Sequence, residues 1–282
     1  MSEALTEQNY YSNAMDREYC SASQYLSIIG RPILPGCEAK AMAQLRGEYT
    51  QETTKAMLIG SILDALWEGA SAEELLERFP DCVSSRGATK GQLKAEYQQA
   101  ITLYNRTRSD DLFTRYMSGI HQPIFTATID GLKFKSKLDS YHEGKAIVDL
   151  KTTENTDIDH RVFIADSGER LPFFLAWAYP TQLAIYREAV RQATGDVCAC
   201  YICAVDKKPH PKPIIIQIED KVLDEALEEV KRNCHHIIKL KSGEIEPIRC
   251  DQGCCDYCRD TYKTVIMTTS EFEAHDIPKG TV

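Results

Sequence analysis

Two aspartates and a lysine occupy neighbouring strand-like segments, where together they could hydrolyse a phosphodiester with the help of a metal ion. Asp139 ends the first segment, and Asp149 and Lys151 lie in the second. Two adjacent carboxylates repel each other unless a cation neutralises them, and oxygen ligands favour Mg²⁺ or Mn²⁺. A lysine beside that metal can orient or deprotonate the attacking water and offset charge on the phosphate. These residue types predict metal-assisted hydrolysis.

The periodicity of the two segments predicts that these side chains converge. Alternate residues of a strand point to opposite faces, so Asp149 and Lys151 share one face of the second segment. The short connection around Gly144 predicts an antiparallel hairpin that brings Asp139 next to Asp149. The alternative is that Asp-x-Lys occurs by chance, on the wet side of a half-exposed sheet. The full order of strand, Asp139, turn, strand, Asp149-x-Lys151 and helix favours a catalytic site.

This order resembles the PD-(D/E)xK nuclease superfamily and, within it, the RecB-like and phage RecE-type exonucleases. The resemblance spans about Tyr10 to Tyr262 and includes the motifs Lys-Leu-Asp-Ser-Tyr-His and Ile-Val-Asp-Leu-Lys-Thr-Thr. It implies that Asp139 and Asp149 bind metal and that Lys151 is the catalytic lysine. The carbonyl of Leu150 is a further expected ligand.

The helix that follows carries Gln182-x-x-x-Tyr186, which looks like the Gln-x-x-x-Tyr motif of the same nucleases. Pro180 suits the start of a helix, and residues four apart lie on one helix face. The resemblance implies that Gln182 and Tyr186 hold DNA or the active-site lysine. Without the upstream motif they would be an ordinary surface amide and a half-buried tyrosine.

Asp64 is a third candidate carboxylate ligand. RecB-like nucleases often carry a histidine ligand in a Gly-x-x-x-His context, whereas this chain has Gly60-Ser-Ile-Leu-Asp64. An added carboxylate would strengthen the preference for a hard cation over zinc. The alternative is an exposed helix aspartate.

A run of cysteines near the end of the chain predicts a second metal centre. Cys250, Cys254, Cys255 and Cys258 lie within nine positions, out of eleven cysteines in the chain. No signal peptide or transmembrane run is recognisable, so we expect a cytoplasmic protein, in which clustered cysteines usually bind metal. Adjacent cysteines rarely both bind one ion, which leaves three local ligands and requires a fourth from elsewhere.

Cys37 is the best fourth ligand, since it precedes a predicted helix near the chain start. Some RecB-like nucleases, including CRISPR-associated relatives, look similar, with one early and three late cysteines around a [4Fe–4S] cluster. By this resemblance Cys37, Cys250, Cys255 and Cys258 are the ligands and Cys254 is spare, although the spacing differs from the commonest version. A four-cysteine zinc site satisfies the same ligand count.

Composition and periodicity predict one α/β domain. The chain has 282 residues, is 43% hydrophobic and shows no internal repeat. We expect a restriction-endonuclease-like PD-(D/E)xK core, a mixed central sheet flanked by helices, after an N-terminal helical region. The predicted division is a tail over 1–20, a nuclease domain over 21–262 and a tail over 263–282. Within the domain, 21–120 is the helical part, 121–219 the catalytic core and 220–262 the last helix and cysteine cluster.

The predicted elements follow this division. Helices are expected at about 21–29, 37–46, 53–68, 71–78, 89–107, 179–194 and 223–240. Strands are expected at about 122–129, 132–139, 145–151, 197–206 and 213–218. The order α–βββ–α–β is the one that this nuclease core requires.

The net charge of −9 argues against a protein that coats DNA non-specifically, whereas an exonuclease needs only a local basic track. Lys135 and Lys137 are predicted to contact DNA because they share the face of Asp139, and Gln182 and Tyr186 join them. The alternative for each lysine is an ordinary solvated surface position.

The leading hypothesis is a metal-dependent exonuclease that resects the ends of double-stranded DNA. The resemblance to RecE-type enzymes implies 5′-to-3′ digestion, a RecT-type single-strand annealing partner, a ring-like homo-oligomer and a phage or prophage origin in a bacterial host. No membrane partner is expected. One alternative is a single-strand or flap nuclease like the CRISPR-associated relatives. Another is a non-catalytic scaffold that binds DNA ends.

Overall fold

Several helices begin directly after a side chain that caps them. In the computed structural model, which describes residues 4–250, 255–264 and 266–275, the hydroxyls of Ser21, Thr54 and Ser71 each accept the backbone N–H three residues further on. The helices are α1 Asn13–Glu18, α2 Ala22–Ile29, α3 Glu38–Arg46, α4 Lys55–Trp67, α5 Ala72–Arg78, α6 Ala95–Arg108, α7 Asp111–Met117, α8 Phe173–Ala176, α9 Tyr179–Thr194, α10 Asp220–Ser242, α11 Asp256–Asp260 and α12 Thr269–His275.

Two sheets form the centre of the molecule. The strands are β1 Cys20–Ser21, β2 Gly30–Arg31, β3 Leu34–Pro35, β4 Ile124–Ile129, β5 Leu132–Lys137, β6 Ser140–His142, β7 Ala146–Thr153, β8 Val162–Phe163, β9 Arg170–Leu171, β10 Ala199–Asp206 and β11 Pro213–Ile218. One sheet has the order β1-β5-β4 and the other the order β11-β10-β7-β6. In the second sheet β7 and β10 are parallel, whereas β6 and β11 are antiparallel to their neighbours. The α/β class with a mixed sheet is therefore confirmed.

Helices cover both faces of the second sheet. α4, α6 and α7 pack on one face, around buried residues such as Leu63, Leu103 and Val148. α9 and α10 pack on the other face, around Leu183 and Ile202. The strand β10 is buried on both sides, which explains its continuous apolar sequence. None of the helices in the described ranges combines the length and apolar character needed to cross a membrane.

The predicted elements of the catalytic core are present, but the predicted hairpin differs. The partner of β7 is the short strand β6, which pairs Ser140 with Val148, and not the β5 segment. β5 instead pairs with β4 and β1 in the other sheet. The chain leaves β5 at Leu138 and Asp139 and crosses to the second sheet there. Strand periodicity could not reveal this break, because both strands keep an alternating pattern.

The predicted N-terminal tail over 1–20 is wrong for its second half. Residues of α1 and β1 pack on the first sheet, where Met15 and Cys20 are buried and Cys20 pairs in parallel with Phe134. At the other end, α12 lies inside the predicted tail 263–282.

The covering N-terminal segment also overturns the prediction for Lys135. This lysine is 1% exposed, its Nζ lies 2.7 Å from Oδ1 of Asp16, and it donates a hydrogen bond to the carbonyl of Tyr10. Nζ also lies 4.7 Å from the ring centroid of Tyr10. Lys135 is therefore a buried structural cation and not a DNA contact. The sequence of β5 gives no sign of the segment that packs over Lys135, and its charge therefore predicted a DNA contact.

Removing the partner of Lys135 should destabilise the fold. We expect Asp16→Ala to lower the free energy of unfolding by about 3 kcal/mol, because it leaves a buried ammonium without its counter-ion. Lys135→Met removes the buried charge and keeps a side chain of similar length, so its loss of unfolding free energy should be smaller. Urea unfolding of both variants and the wild type measures the difference. Equal losses for the two variants would contradict this account of the ion pair.

Candidate active site

One backbone donor and one side-chain donor hold Asp139 where the chain crosses between the sheets. Its Oδ2 accepts a hydrogen bond from the backbone N–H of Leu150 at 2.7 Å, and its Oδ1 accepts one from Nε2 of Gln122 at 3.5 Å. Burial and the nearby carboxylate of Asp149 raise the pKa of Asp139 to about 7. The predicted proximity of the two aspartates is thus present, although a different strand pairing produces it.

Asp149 is buried in the middle of β7, at 1% exposure, with Lys151 beside it. Nζ of Lys151 lies 2.6 Å from Oδ2 of Asp149. This contact is a buried ion pair, in which the ammonium lies directly against Oδ2. Burial raises the pKa of Asp149, and the lysine opposes that rise. The nearby carboxylates of Asp149 and Asp139 raise the pKa of Lys151, although its burial opposes them. The lysine is therefore a fixed cation.

The helix α9 brings both residues of the predicted Gln-x-x-x-Tyr motif to the site. The amide of Gln182 donates to Oδ1 of Asp149 at 2.8 Å and to the hydroxyl of Tyr186 at 2.8 Å. Burial, followed by the charge of Asp149, raises the pKa of Tyr186 well above its usual value. Gln182 thus orients Asp149, and Tyr186 orients Gln182. The alternative of an ordinary surface amide does not describe this residue.

Asp64 approaches the same site from α4, on the other face of β7. Burial and then the charge of Asp139 raise its pKa well above the usual value, and the carboxylate of Asp149 adds to the rise. Lys151 opposes the rise. The prediction of an exposed helix aspartate is therefore the poorer description. Its role as a metal ligand stays a prediction.

The edge of β7 is open at the level of these carboxylates. β6 pairs with β7 only as far as Val148, and the N–H of Leu150 points to the vacated edge, where it meets Asp139. The N–H and C=O of one strand residue point to the same neighbour. The carbonyl of Leu150 therefore points to the carboxylates, as its predicted ligand role requires.

Two neighbours of the site have left-handed backbones, and the sequence predicted neither. Gln122, with φ of 56°, bonds Asp139, and Ala178, with φ of 55°, immediately precedes Tyr179 and α9. The ring centroid of Tyr179 lies 5.1 Å from Nζ of Lys151. Non-glycine residues in this conformation are uncommon and often mark functional positions. Glutamine and alanine have no preference for a positive φ, so the sequence does not indicate these two conformations.

The donor set fits a hard divalent cation. Asp64, Asp139 and Asp149 supply carboxylate oxygens, and Oδ2 of Asp149 is buried beside the ammonium of Lys151. Like charges raise the pKa of Asp64 and of Asp139, so a cation bound there would relieve the repulsion. Oxygen-only ligands suit Mg²⁺ or Mn²⁺ better than softer metals.

Lys137, the other lysine predicted to contact DNA, remains accessible near this site. Its Nζ lies 5.4 Å from the ring centroid of Tyr11, and that tyrosine is 75% exposed. The contact with DNA stays a prediction.

Four cysteines converge at a separate centre, and they are the four predicted ligands. The sulfurs of Cys37, Cys250, Cys255 and Cys258 all lie within 4.8 Å of one another, and those of Cys37 and Cys258 are 3.5 Å apart. Cys37 and Cys255 are the N-caps of α3 and α11. Burial is the largest cause that raises the pKa of Cys258, to about 11. A metal must therefore displace protons here. Cys254 lies outside the described residues.

Comparison with known proteins agrees with the geometry. Residues 21–261 match a family described as a PDDEXK-like domain of unknown function (DUF3799). The crystal structure of a "putative exonuclease" from Eubacterium rectale is similar, with a TM-score of 0.89 and 36% sequence identity. The similarity covers 98% of this chain and 100% of that one. No curated protein matches the chain.

The family match includes every residue of the carboxylate site and the four clustered cysteines. It covers most of the chain. The chain therefore belongs to the family of PDDEXK-like domains (DUF3799), within the PD-(D/E)xK nuclease superfamily.

Proposed function

We propose that this protein is a metal-dependent deoxyribonuclease that digests double-stranded DNA from its ends. The observation that carries the proposal is the buried pair of Asp149 and Lys151 beside Asp139, with Gln182 bonded to the second oxygen of Asp149. The name of the Eubacterium rectale protein points to the same class of reaction. Nucleases of this superfamily typically depend on metal, and the oxygen donors favour Mg²⁺ or Mn²⁺.

The residues of the site divide the work of hydrolysis. Asp139, Asp149, Asp64 and the carbonyl of Leu150 would hold the metal, which supplies charge neutralisation and an activated water. Lys151 places a positive charge where negative charge develops on the phosphate. Gln182 and Tyr186 keep Asp149 oriented. Because these groups are fixed before the substrate arrives, little reorganisation is needed during the reaction.

The finer features of the proposal come from the resemblance to RecE-type enzymes. They are 5′-to-3′ polarity, a ring-like homo-oligomer that keeps hold of DNA, a RecT-type annealing partner, and a role in phage or prophage recombination in the bacterial cytoplasm. A single-strand or flap nuclease is the second candidate, and the four converging cysteines favour it, because CRISPR-associated relatives look similar in that feature.

Substitution of the central residues should abolish cleavage and preserve the fold. We expect Lys151→Met and Asp149→Asn each to lower the rate of DNA cleavage by at least about 100-fold, because each removes a fixed charge from the transition state. Lys145→Met is the matched control, since Lys145 is exposed in the turn before β7. Cleavage rates with Mg²⁺ and circular dichroism spectra provide the measurement. Full activity of Lys151→Met would exclude this site, and a wild type inactive with every divalent metal would favour a DNA-binding scaffold.

The choice of substrate separates the exonuclease from its alternatives. With linear duplex DNA labelled at either end, we expect early release of the 5′ label, whereas covalently closed circles stay intact. Free ends are needed because the proposed enzyme starts only at a terminus. Cutting of the circle would identify an endonuclease. A strong preference for single strands or flaps would favour the second candidate.

We further propose that Cys37, Cys250, Cys255 and Cys258 bind one structural metal centre. The resemblance to RecB-like nucleases favours a [4Fe–4S] cluster. The sulfur spacing favours zinc, because Zn–S bonds of about 2.3 Å place tetrahedral sulfurs about 3.8 Å apart. A cube of four irons holds its cysteine sulfurs further apart. Iron, sulfide and zinc analysis of anaerobically purified protein distinguishes the two compositions.

Loss of one cysteine ligand should remove the metal and weaken the fold. Cys258→Ala should lower the free energy of unfolding by about 5 kcal/mol, because the centre ties distant parts of the chain together. Cys198→Ala is the matched control, since Cys198 is equally buried but lies outside the centre. Its loss should be near 1 kcal/mol, with the metal retained. Metal content and urea unfolding of both variants test this, and a metal-replete Cys258→Ala protein would contradict it.

A further inference from the structure

Arg31 lies in the β2–β3 hairpin, whose backbone is fixed by two glycines. A Cβ atom at Gly36 would lie 2.2 Å from the carbonyl oxygen of Ile28, and one at Gly30 would lie 2.6 Å from the backbone nitrogen of Gly36. Real Cβ atoms do not approach other atoms so closely, and Gly30 also has φ of 102°. Both positions therefore require glycine. The hairpin holds Arg31 on a defined backbone.

The guanidinium of Arg31 is half-buried, and no anionic partner accompanies it. Its Cζ lies 6.0 Å from the ring centroid of Trp177, and the N–H of Ile33 donates to the carbonyl of Ala176 at 3.2 Å, which ties the hairpin to the segment that carries Trp177. Within the ranges that the structure describes, the Arg31 side chain forms no hydrogen bond or ion pair. Burial lowers its pKa. A partly desolvated cation of this kind costs free energy until an anion completes it.

Tyr179 connects this cation to the carboxylate site, because it follows Trp177 by two residues and also contacts Lys151. Its ring lies against Lys151, and the positive charges of Lys151 and Arg31 both oppose the rise in pKa that burial causes in Tyr179. Both cations therefore act on one phenol.

We propose that Arg31 binds a backbone phosphate of the DNA strand that occupies the active site, next to the phosphate that reacts. The inference rests on the proposed function and names a binding residue for it. A guanidinium presents a planar fork of donors that matches two phosphate oxygens, and it stays charged when partly buried. The Trp177 ring supports the guanidinium through a cation–π contact. Arg31 is not a catalytic residue, since Lys151 and the carboxylates serve the reacting phosphate.

The salt dependence of DNA binding tests this role. In an Asp149→Asn background, which keeps DNA uncut under the proposed mechanism, fluorescence anisotropy gives the Kd of a labelled duplex at several KCl concentrations. Loss of one phosphate contact lowers the slope of log Kd against log salt by about 0.9 for duplex DNA or about 0.7 for a single strand. We expect this change for Arg31→Gln, with binding weaker by about 10-fold at low salt. Arg31→Lys should keep the slope.

A matched control and a stability measurement exclude a merely structural role. Arg46→Gln removes an exposed arginine that has its own partner, Glu48, and it should leave the slope unchanged. The melting temperature of DNA-free Arg31→Gln should equal or exceed that of the parent, because a cation without a counter-ion is removed. A lower melting temperature with an unchanged slope would overturn the inference.

The outcomes separate this inference from the proposed function. If DNA binding depends on Arg31 but the wild type, which retains Asp149, cuts no DNA, the proposed nuclease activity is wrong and the phosphate contact is supported. Protein that cuts DNA, with an Arg31→Gln slope equal to that of the parent, would support the nuclease and overturn the phosphate contact. Protein that binds no DNA would overturn both.

Discussion

The structure depends on the confinement of like charges at the edge of β7. The charges of Asp139 and Asp149 act on Asp64, that of Asp149 acts on Asp139, and Lys151 forms an ion pair with Asp149. Carboxylates so close to each other and so poorly hydrated destabilise the fold until a cation joins them. The protein offsets part of this cost with fixed donors, namely the N–H of Leu150 and the amide of Gln182. A divalent metal bound there would relieve the same repulsion.

The fold creates this site by starting one strand late. β6 begins only at Ser140, opposite Val148, so the following residues of β7 have an edge free for side chains instead of a neighbouring strand. α4 approaches from one face and α9 from the other, and each carries a polar residue toward an otherwise apolar layer. Gln122 precedes the segment that carries Asp139, Asp149 and Lys151, and Ala178 follows it. Both residues have left-handed backbones, and such conformations persist only where the surrounding structure holds them.

The residues of the site that lie in regular elements could be predicted from the sequence. The alternation in β7 and the helical spacing of Gln182 and Tyr186 fix side-chain direction locally. The three late cysteines could be assigned to one centre only with a fourth, remote cysteine. The failures all involve contacts between distant segments. Lys135 is buried by α1, Asp139 lies at a crossing between sheets, and Gln122 contributes through a backbone conformation that its side chain does not encode. Local periodicity is blind to what another part of the chain places over a strand.

The cysteine centre and the carboxylate site share a rigid connection. Cys37 follows Gly36 at the end of the β2–β3 hairpin, and its backbone N–H donates to the carbonyl of Ser27 at 2.9 Å. Cys37 and Cys258 are 221 positions apart, so a metal that joins them closes a very long loop, which in the loop-closure picture stabilises the fold by about 5 kcal/mol. Soft thiolates and hard carboxylates select different metals, so both sites can be filled independently. A metal bound by the cysteines would thus anchor the same hairpin that carries Arg31.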